Sequence, residues 1–255
     1  MQFMIESIDR ALRMLHLFIQ HERPLSVTEI SKMLNIHKST VSRTLETLEE
    51  RDFIRKNEED GKFWLGLELY SLGMLFREKY SFQKIAYPYA KALSMKVDEG
   101  VHITTFCRVD GAYPQHVILE KIKSNHSIDV APPVGAVRPS YCAASGKCLL
   151  AYSSEYANKY IGCDLKRKTE YTITSWDDLL KEFEKIRKQG YAVEREEVEL
   201  GMTCLAAPIF MGDVIIAAIS VSGSISRITD DTIPGIVKEL KQTAREISQA
   251  LAPHT

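Results

Sequence analysis

The chain has 255 residues, of which 45% are hydrophobic and 26% charged; this balance excludes wholesale disorder and supplies apolar side chains for one or two domains. No run of about 18 apolar residues occurs, and Met1–His21 carries Glu6, Asp9, Arg10 and Arg13, so it reads as an amphipathic stretch rather than a leader peptide. The expectation is a cytoplasmic protein without a membrane partner, and a formal net charge of −1 leaves any attraction to a polyanion to local charge.

Ile8, Leu12, Leu15 and Ile19, with Ala11 and Phe18 beside them, recur at helical spacing. They predict a helix that buries this face and ends near His21. Pro24 then breaks the chain. Ser26 and Glu29 have capping-box spacing, and Val27, Ile30 and Leu34 give a short second helix its inner face, with a stop at Asn35-Ile36. A third helix restarts near His37 with Val41, Leu45 and Leu48 inward.

Two short helices joined in this way form a helix-turn-helix, whose second helix lies in the major groove of double-stranded DNA. With Val41 inward, the helical step of about 100° turns Ser39, Ser42, Arg43 and Glu46 outward and leaves Thr40 and Thr47 at the edge. Lys38 suits a phosphate, and Arg43 has the fork for a guanine edge. From Ile30 to Leu45 the bases Lys32, Lys38 and Arg43 stand without an acid, so the predicted DNA-contacting set is Lys38, Ser39, Thr40, Ser42 and Arg43. Phe53–Lys56 and Lys62–Leu65, joined by Asn57-Glu-Glu-Asp-Gly61, read as a hairpin wing. Arg55, Lys56 and Lys62 are its candidate phosphate contacts, while Glu58, Glu59 and Asp60 at the tip oppose deep groove insertion. The same pattern also suits a structural or protein-contact module, with the rest of the chain then a small-molecule sensor or enzyme.

Glu68 to about Glu99 reads as connecting helix, interrupted near Ser81 and at Pro88. Beyond Gly100 come β-rich runs at Val101–Arg108 and Gln115–Ile122 around Asp110-Gly111, then strands at Tyr191–Val198, Cys204–Phe210 and Val214–Ser222. Helices are expected over Ser145–Tyr152, over Trp176–Gln189 (Ser175 capping; Leu179, Phe183 and Ile186 inward), and from about Thr232 to Leu251. This order predicts an α+β domain on one mostly antiparallel sheet.

Catalytic motifs are missing. Gly146-Lys147 lacks the preceding glycine of a phosphate-binding loop, Ala144 stands where an S-x-x-K nucleophile would be, and no G-x-S-x-G occurs. His102, His116 and His126 fit no metal-ligand spacing, and Glu194-Arg-Glu-Glu197 with Glu199 reads as a solvated acidic face. The five cysteines, Cys107, Cys142, Cys148, Cys163 and Cys204, form no C-x-x-C pair, which predicts reduced thiols and neither a zinc site nor a disulfide framework. No enzymatic activity, metal or cofactor is expected.

Several segments together resemble the IclR family of bacterial transcriptional regulators: Ile8-Asp-Arg-Ala-Leu-Arg-Met-Leu15, Lys38-Ser-Thr-Val-Ser-Arg-Thr-Leu45, Leu65-Gly-Leu67, Gly146-Lys-Cys-Leu-Leu-Ala151, Gly190-Tyr-Ala-Val-Glu194, Glu199-Leu-Gly-Met-Thr-Cys-Leu-Ala-Ala-Pro208, Ile219-Ser-Val-Ser-Gly223 and Ser226-Arg-Ile-Thr-Asp230. The resemblance implies a winged helix-turn-helix head (residues 1–67), a linker helix (68–80) and a GAF-like effector-binding and oligomerisation domain (81–255). It also implies a homodimer or a dimer of dimers, and a repressor more than an activator. The implied effector pocket is lined by Val130, Ala144, Ser145, Glu194, Met202, Cys204, Ser220 and Ser222. Ser220 and Ser222 alternate onto one face of a strand, and with the Cys204 thiol and nearby amides they suit the carboxylate of a small organic acid.

Overall fold

The computed structural model describes residues 5–79, 81–107, 114–126 and 132–251. The chain divides into two compact units, residues 1–81 and 82–255.

The first unit begins with α1 (Glu6–His21), α2 (Val27–Leu34) and α3 (Lys38–Glu50). The two-stranded wing follows, β1 (Ile54–Lys56) and β2 (Phe63–Leu65), and then α4 (Leu67–Lys79). The capping box closes as the sequence predicts: Glu29 N–H donates to Ser26 Oγ at 3.3 Å, and Ser26 N–H to Glu29 Oε2 at 2.9 Å. Asn35 ends α2 in the left-handed region at φ 54°, a conformation asparagine tolerates better than most residues. Gly66 allows the chain leaving β2 to lie against the backbone of Asp52, where a Cβ would collide with the carbonyl.

The core of this unit is Met14, Leu17, Phe18, Leu25, Ile30, Val41, Leu45, Ile54 and Phe63. The expected inner face of α1 is therefore corrected in part: Leu15 and Phe18 pack on the core as expected, but Ile8 and Leu12 are 55% and 50% exposed, Ile19 is exposed as well, and Met14 and Leu17 face inward in their place. Both faces are apolar at helical period, and Phe18 at the seam belongs to the buried one. No residue of α4 is buried, and Leu67, Tyr70, Leu72, Met74, Leu75 and Phe76 are all exposed.

In the second unit, α5 (Ser81–Val97) runs through Pro88 without breaking, which corrects the interruption expected there. It leads to β3 (Gly100–Cys107) and β4 (Gln115–Ile122), then to β5 (Val137–Pro139), a strand too short to show in the sequence pattern. The predicted Asp110-Gly111 turn lies outside the described residues. Next come α6 (Ala144–Ala151), α7 (Ser154–Ala157), α8 (Trp176–Gln189), β6 (Ala192–Arg195), β7 (Met202–Met211), β8 (Val214–Ser224) and α9 (Ile233–Leu251). The strands form one antiparallel sheet in the order β5-β4-β3-β8-β7-β6.

Strand alternation gives this sheet two unlike faces. Val101, Ile103, Leu205, Ala207, Ile219 and Val221 form a fully buried apolar underside, with α9 packed along β7 and β8. On the other face α6 packs over β3, β6, β7 and β8, and the rows between are polar. Gly100, Ser222, Cys204 and Glu194 are successive cross-strand neighbours; His102, Ser220 and Ala206 form the next row. Gly146 lets the first turn of α6 lie on the Ser140 backbone, which a Cβ would strike. That close approach sets the start of α6 beside the polar rows.

Candidate functional sites: a recognition helix and a polar pocket

On α3, Lys38, Ser39 and Arg43 are exposed and Thr40 and Ser42 half-buried. The first turn holds no acid and no side-chain cap, so its free amides and Lys38 are open to a phosphate. Ser42 Oγ donates to Glu46 Oε1 at 2.9 Å. The wing cations differ from one another. Arg55 makes a two-pronged contact with Asp52 at 2.8 and 3.2 Å, which holds the Asp52 carboxyl below its usual range. Lys62 lies 3.7 Å from Asp60, whereas Lys56 sits over the Phe63 ring at 5.9 Å. Among the described residues the side chains of Lys38, Arg43 and Lys56 have no acidic partner.

In the second unit the polar rows floor a cavity of about 350 Å³, lined by Ala144, Ser145, Glu194, Met202, Cys204, Ser220 and Ser222. Seven of the eight sequence-predicted pocket residues thus share one cavity, and Val130 lies outside the described residues. The reading from sequence missed His102, Thr104, His116, Arg138, Cys142 and Lys168, which line it too. Alternation along β3 was the available signal, since His102 pairs with Ser220 and so shares its face.

The acidic run is only in part a solvated face: Glu194 is 2% and Glu197 7% exposed, while Glu199 is exposed as expected. Glu194 Oε1 accepts the amides of Glu197 at 2.6 Å and Val198 at 3.2 Å. The Cys204 thiol donates to the same carboxylate and is itself hydrogen-bonded by Ser222. Burial pushes the Glu194 carboxyl up, against those hydrogen bonds. Lys147, 1% exposed, donates to the Val193 carbonyl at 3.0 Å and forms an ion pair with Glu197, with Glu182 at 3.7 Å. Burial raises Glu197 to about 7 against the pull of Lys147. Lys147 and Glu197 thereby pin the turn whose Val198 and Glu199 form one pocket wall.

Two cations also line the cavity, Arg138 from β5 and Lys168, the latter in a loop whose Thr169 and Thr172 hydroxyls donate to the Glu196 and Glu197 carbonyls. His116 is depressed to about 4 by burial and by Arg138, so its imidazole is neutral at pH 7. Ala143, the N-cap of α6, makes no side-chain cap, and with Ala144 and Ser145 it turns the uncapped first turn into the cavity. Burial pushes the Cys142 thiol up to about 12 and Cys204 well above its ordinary value; both stay protonated, which removes them as nucleophiles. Among the described residues no cluster fit to hold a metal ion exists, and no helix is long and apolar enough to cross a membrane.

A helix-turn-helix with a wing, followed by a sheet domain with a polar cavity, defines a DNA-binding regulator as a class. Residues 7–58 match the IclR helix-turn-helix domain and residues 78–249 the C-terminal domain of bacterial IclR transcriptional regulators. The chain belongs to the IclR family: it is a DNA-binding transcriptional regulator and not an enzyme. The transcriptional repressor IclR of Escherichia coli K12 is 29% identical over 252 residues, covering 96% of this chain and 90% of that one. An IclR regulator from Alicyclobacillus acidocaldarius superposes with a TM-score of 0.82 at 25% identity over 98% of this chain and all of that one. An IclR homologue from Microbacterium hydrocarbonoxydans, solved with 4-hydroxybenzoate, shares the fold at TM-score 0.79 and 21% identity, covering 96% and 98% of the two chains.

Proposed function

We propose that the protein is a cytoplasmic repressor whose operator affinity is set by a small organic acid bound in the second unit. The carrying observation is the cavity itself, where the uncapped start of α6, Arg138 and Lys168 offer donors and positive charge to an anion. Ser220, Ser222 and Glu194 on the floor hydrogen-bond the rest of the ligand. The 4-hydroxybenzoate held by the Microbacterium homologue is an acid of this size.

Lys38, Ser39, Thr40, Ser42 and Arg43 read or clamp the operator, Lys56 adds a phosphate contact, and Arg55 and Lys62 are weaker candidates because Asp52 and Asp60 engage them. α4 serves as the linker helix, and its exposed apolar surface with that of α1 joins two heads into a homodimer. Such a dimer suits a pseudo-palindromic operator. Ligand and operator then couple by about 1–3 kcal/mol, felt equally from both sides.

The test is a thermal-shift panel of pyruvate, gluconate and 4-hydroxybenzoate on the full chain, with operator titrations at fixed salt. At least one acid raises Tm and changes operator affinity by about fivefold or more, and both responses vanish in Arg138→Met. No shift with any acid, or an equal shift in the variant, counts against the reading.

A further inference from the structure

We propose that Glu46 is a base-reading residue of α3 that selects cytosine, with Ser42 holding its carboxylate in place. The inference rests on the reading of α3 as the recognition helix. Ser39, Ser42, Arg43 and Glu46 occupy positions i, i+3, i+4 and i+7, one face of a helix, and homeodomain recognition helices touch bases with side chains at this spacing.

Glu46 is exposed and, among the described residues, forms no ion pair. A bare carboxylate on the surface offered to DNA opposes binding by phosphate repulsion. The other glutamates of α3 stand differently: Glu49 accepts the Lys56 amide of the wing at 3.2 Å, and Glu50 ends the helix. Glu46 alone belongs to the outward quartet, where only a specific partner offsets its charge.

A carboxylate is a pure acceptor, and the major-groove edge of cytosine offers the N4 amino group as donor. Ser42 Oγ gives its proton to Glu46 at 2.9 Å, so the pair presents acceptors alone. Guanine O6 and thymine O4 would set acceptor against acceptor, and adenine sets its N7 acceptor beside the amino group, which a carboxamide satisfies and a carboxylate does not. The quartet thus places Arg43 on a guanine and Glu46 on a nearby cytosine.

The experiment is selection from a randomised duplex pool by the full-length wild type, Glu46→Gln and Arg43→Ala, followed by titration of single-base-pair variants of the selected duplex. In Glu46→Gln the preference at one base pair of each half-site moves from cytosine to adenine by about fivefold or more in relative affinity, while the other positions and the salt slope stay unchanged. A uniform gain on every duplex with base preference intact marks Glu46 as a mere repulsive charge and overturns the proposal. If Arg43→Ala erases preference at its own base pair while Glu46→Gln alters none, only the role of Glu46 falls. If Arg43→Ala leaves the profile intact as well, the recognition-helix reading falls and takes the proposal with it.

Discussion

In the first unit the groups offered to a partner stand in water: Lys38, Ser39, Arg43 and Glu46 are exposed around a core of nine side chains. In the second unit most of the corresponding groups are sealed in, with Glu194, His102, His116 and Ser220 buried, as is the Lys147–Glu197 pair, while Arg138 is half-buried and Lys168 exposed. The partners proposed for the two units account for the difference. DNA is a surface that arrives from outside and is met by a convex helix, whereas a small molecule has to be surrounded before a few polar contacts can discriminate it. Burial carries a cost that the head avoids, because each buried ion needs a partner and a buried carboxyl left half-satisfied drifts upward in pKa. Glu197, raised to about 7, and Glu29, lowered to about 2 by its bonds to Ser26 and Arg23, mark the two regimes.

The largest expected effect on that contrast comes from Lys147→Met. It strands Glu197 and Glu182 without their ammonium and destabilises the second unit by about 3–5 kcal/mol at pH 8. The loss shrinks below pH 7 as Glu197 takes up a proton, and the head transition stays where it was; urea melts at pH 8 and pH 5.5 read both. An equal loss at the two pH values would mean that packing, not charge, is what Lys147 supplies.

Smaller effects are expected from Leu12→Ser, since Leu12 is half exposed and is not a member of the head's buried core. It leaves head stability within about 0.5 kcal/mol but weakens self-association, measured by sedimentation over a concentration series. Unaltered self-association in Leu12→Ser would remove α1 from the proposed interface.

The gentlest probe is pH itself. Glu197 has its folded pKa above the unfolded one, so its contribution is fullest below about 4.5 and declines as pH climbs through 7. Glu29 is opposite in sign: its contribution is present above about 4.5 and is lost as pH falls toward 2. Calorimetry of the wild type and Glu197→Gln between pH 4.5 and 8 isolates the first trend, because the variant lacks the slope. Coincident pH dependences would leave Glu197 without a role in stability.

The head was almost wholly legible in the sequence because its signals are local: Ser26 and Glu29 are three residues apart, and Asn35 stops α2 by its own backbone preference. The error on α1 has a physical cause. Its two apolar faces overlap, and period alone does not say which one meets the protein's own core. In the second unit the family motifs singled out seven residues that line one cavity, yet the burial of Glu194 and Glu197 was missed because Lys147, which pairs with Glu197, comes from α6, 50 residues upstream. His102 gave no sign by itself; only its register opposite Ser220 makes it part of a floor. Arg138 rides on a strand of three residues, too short for any alternation to show.

The register of the sheet also bears on how such a regulator changes over time. Along β8, Ser220 and Ser222 face the cavity while Ile219 and Val221 face the apolar underside; β3 and β7 repeat the division with His102 and Thr104 against Val101 and Ile103, and Cys204 against Leu205. Chemical preference and mechanical support are thus written on alternating letters of the same strands. Substitutions at the cavity-facing positions leave the packing beneath undisturbed, so, on the proposed function, one scaffold can take up a different small-molecule ligand by small, separable steps.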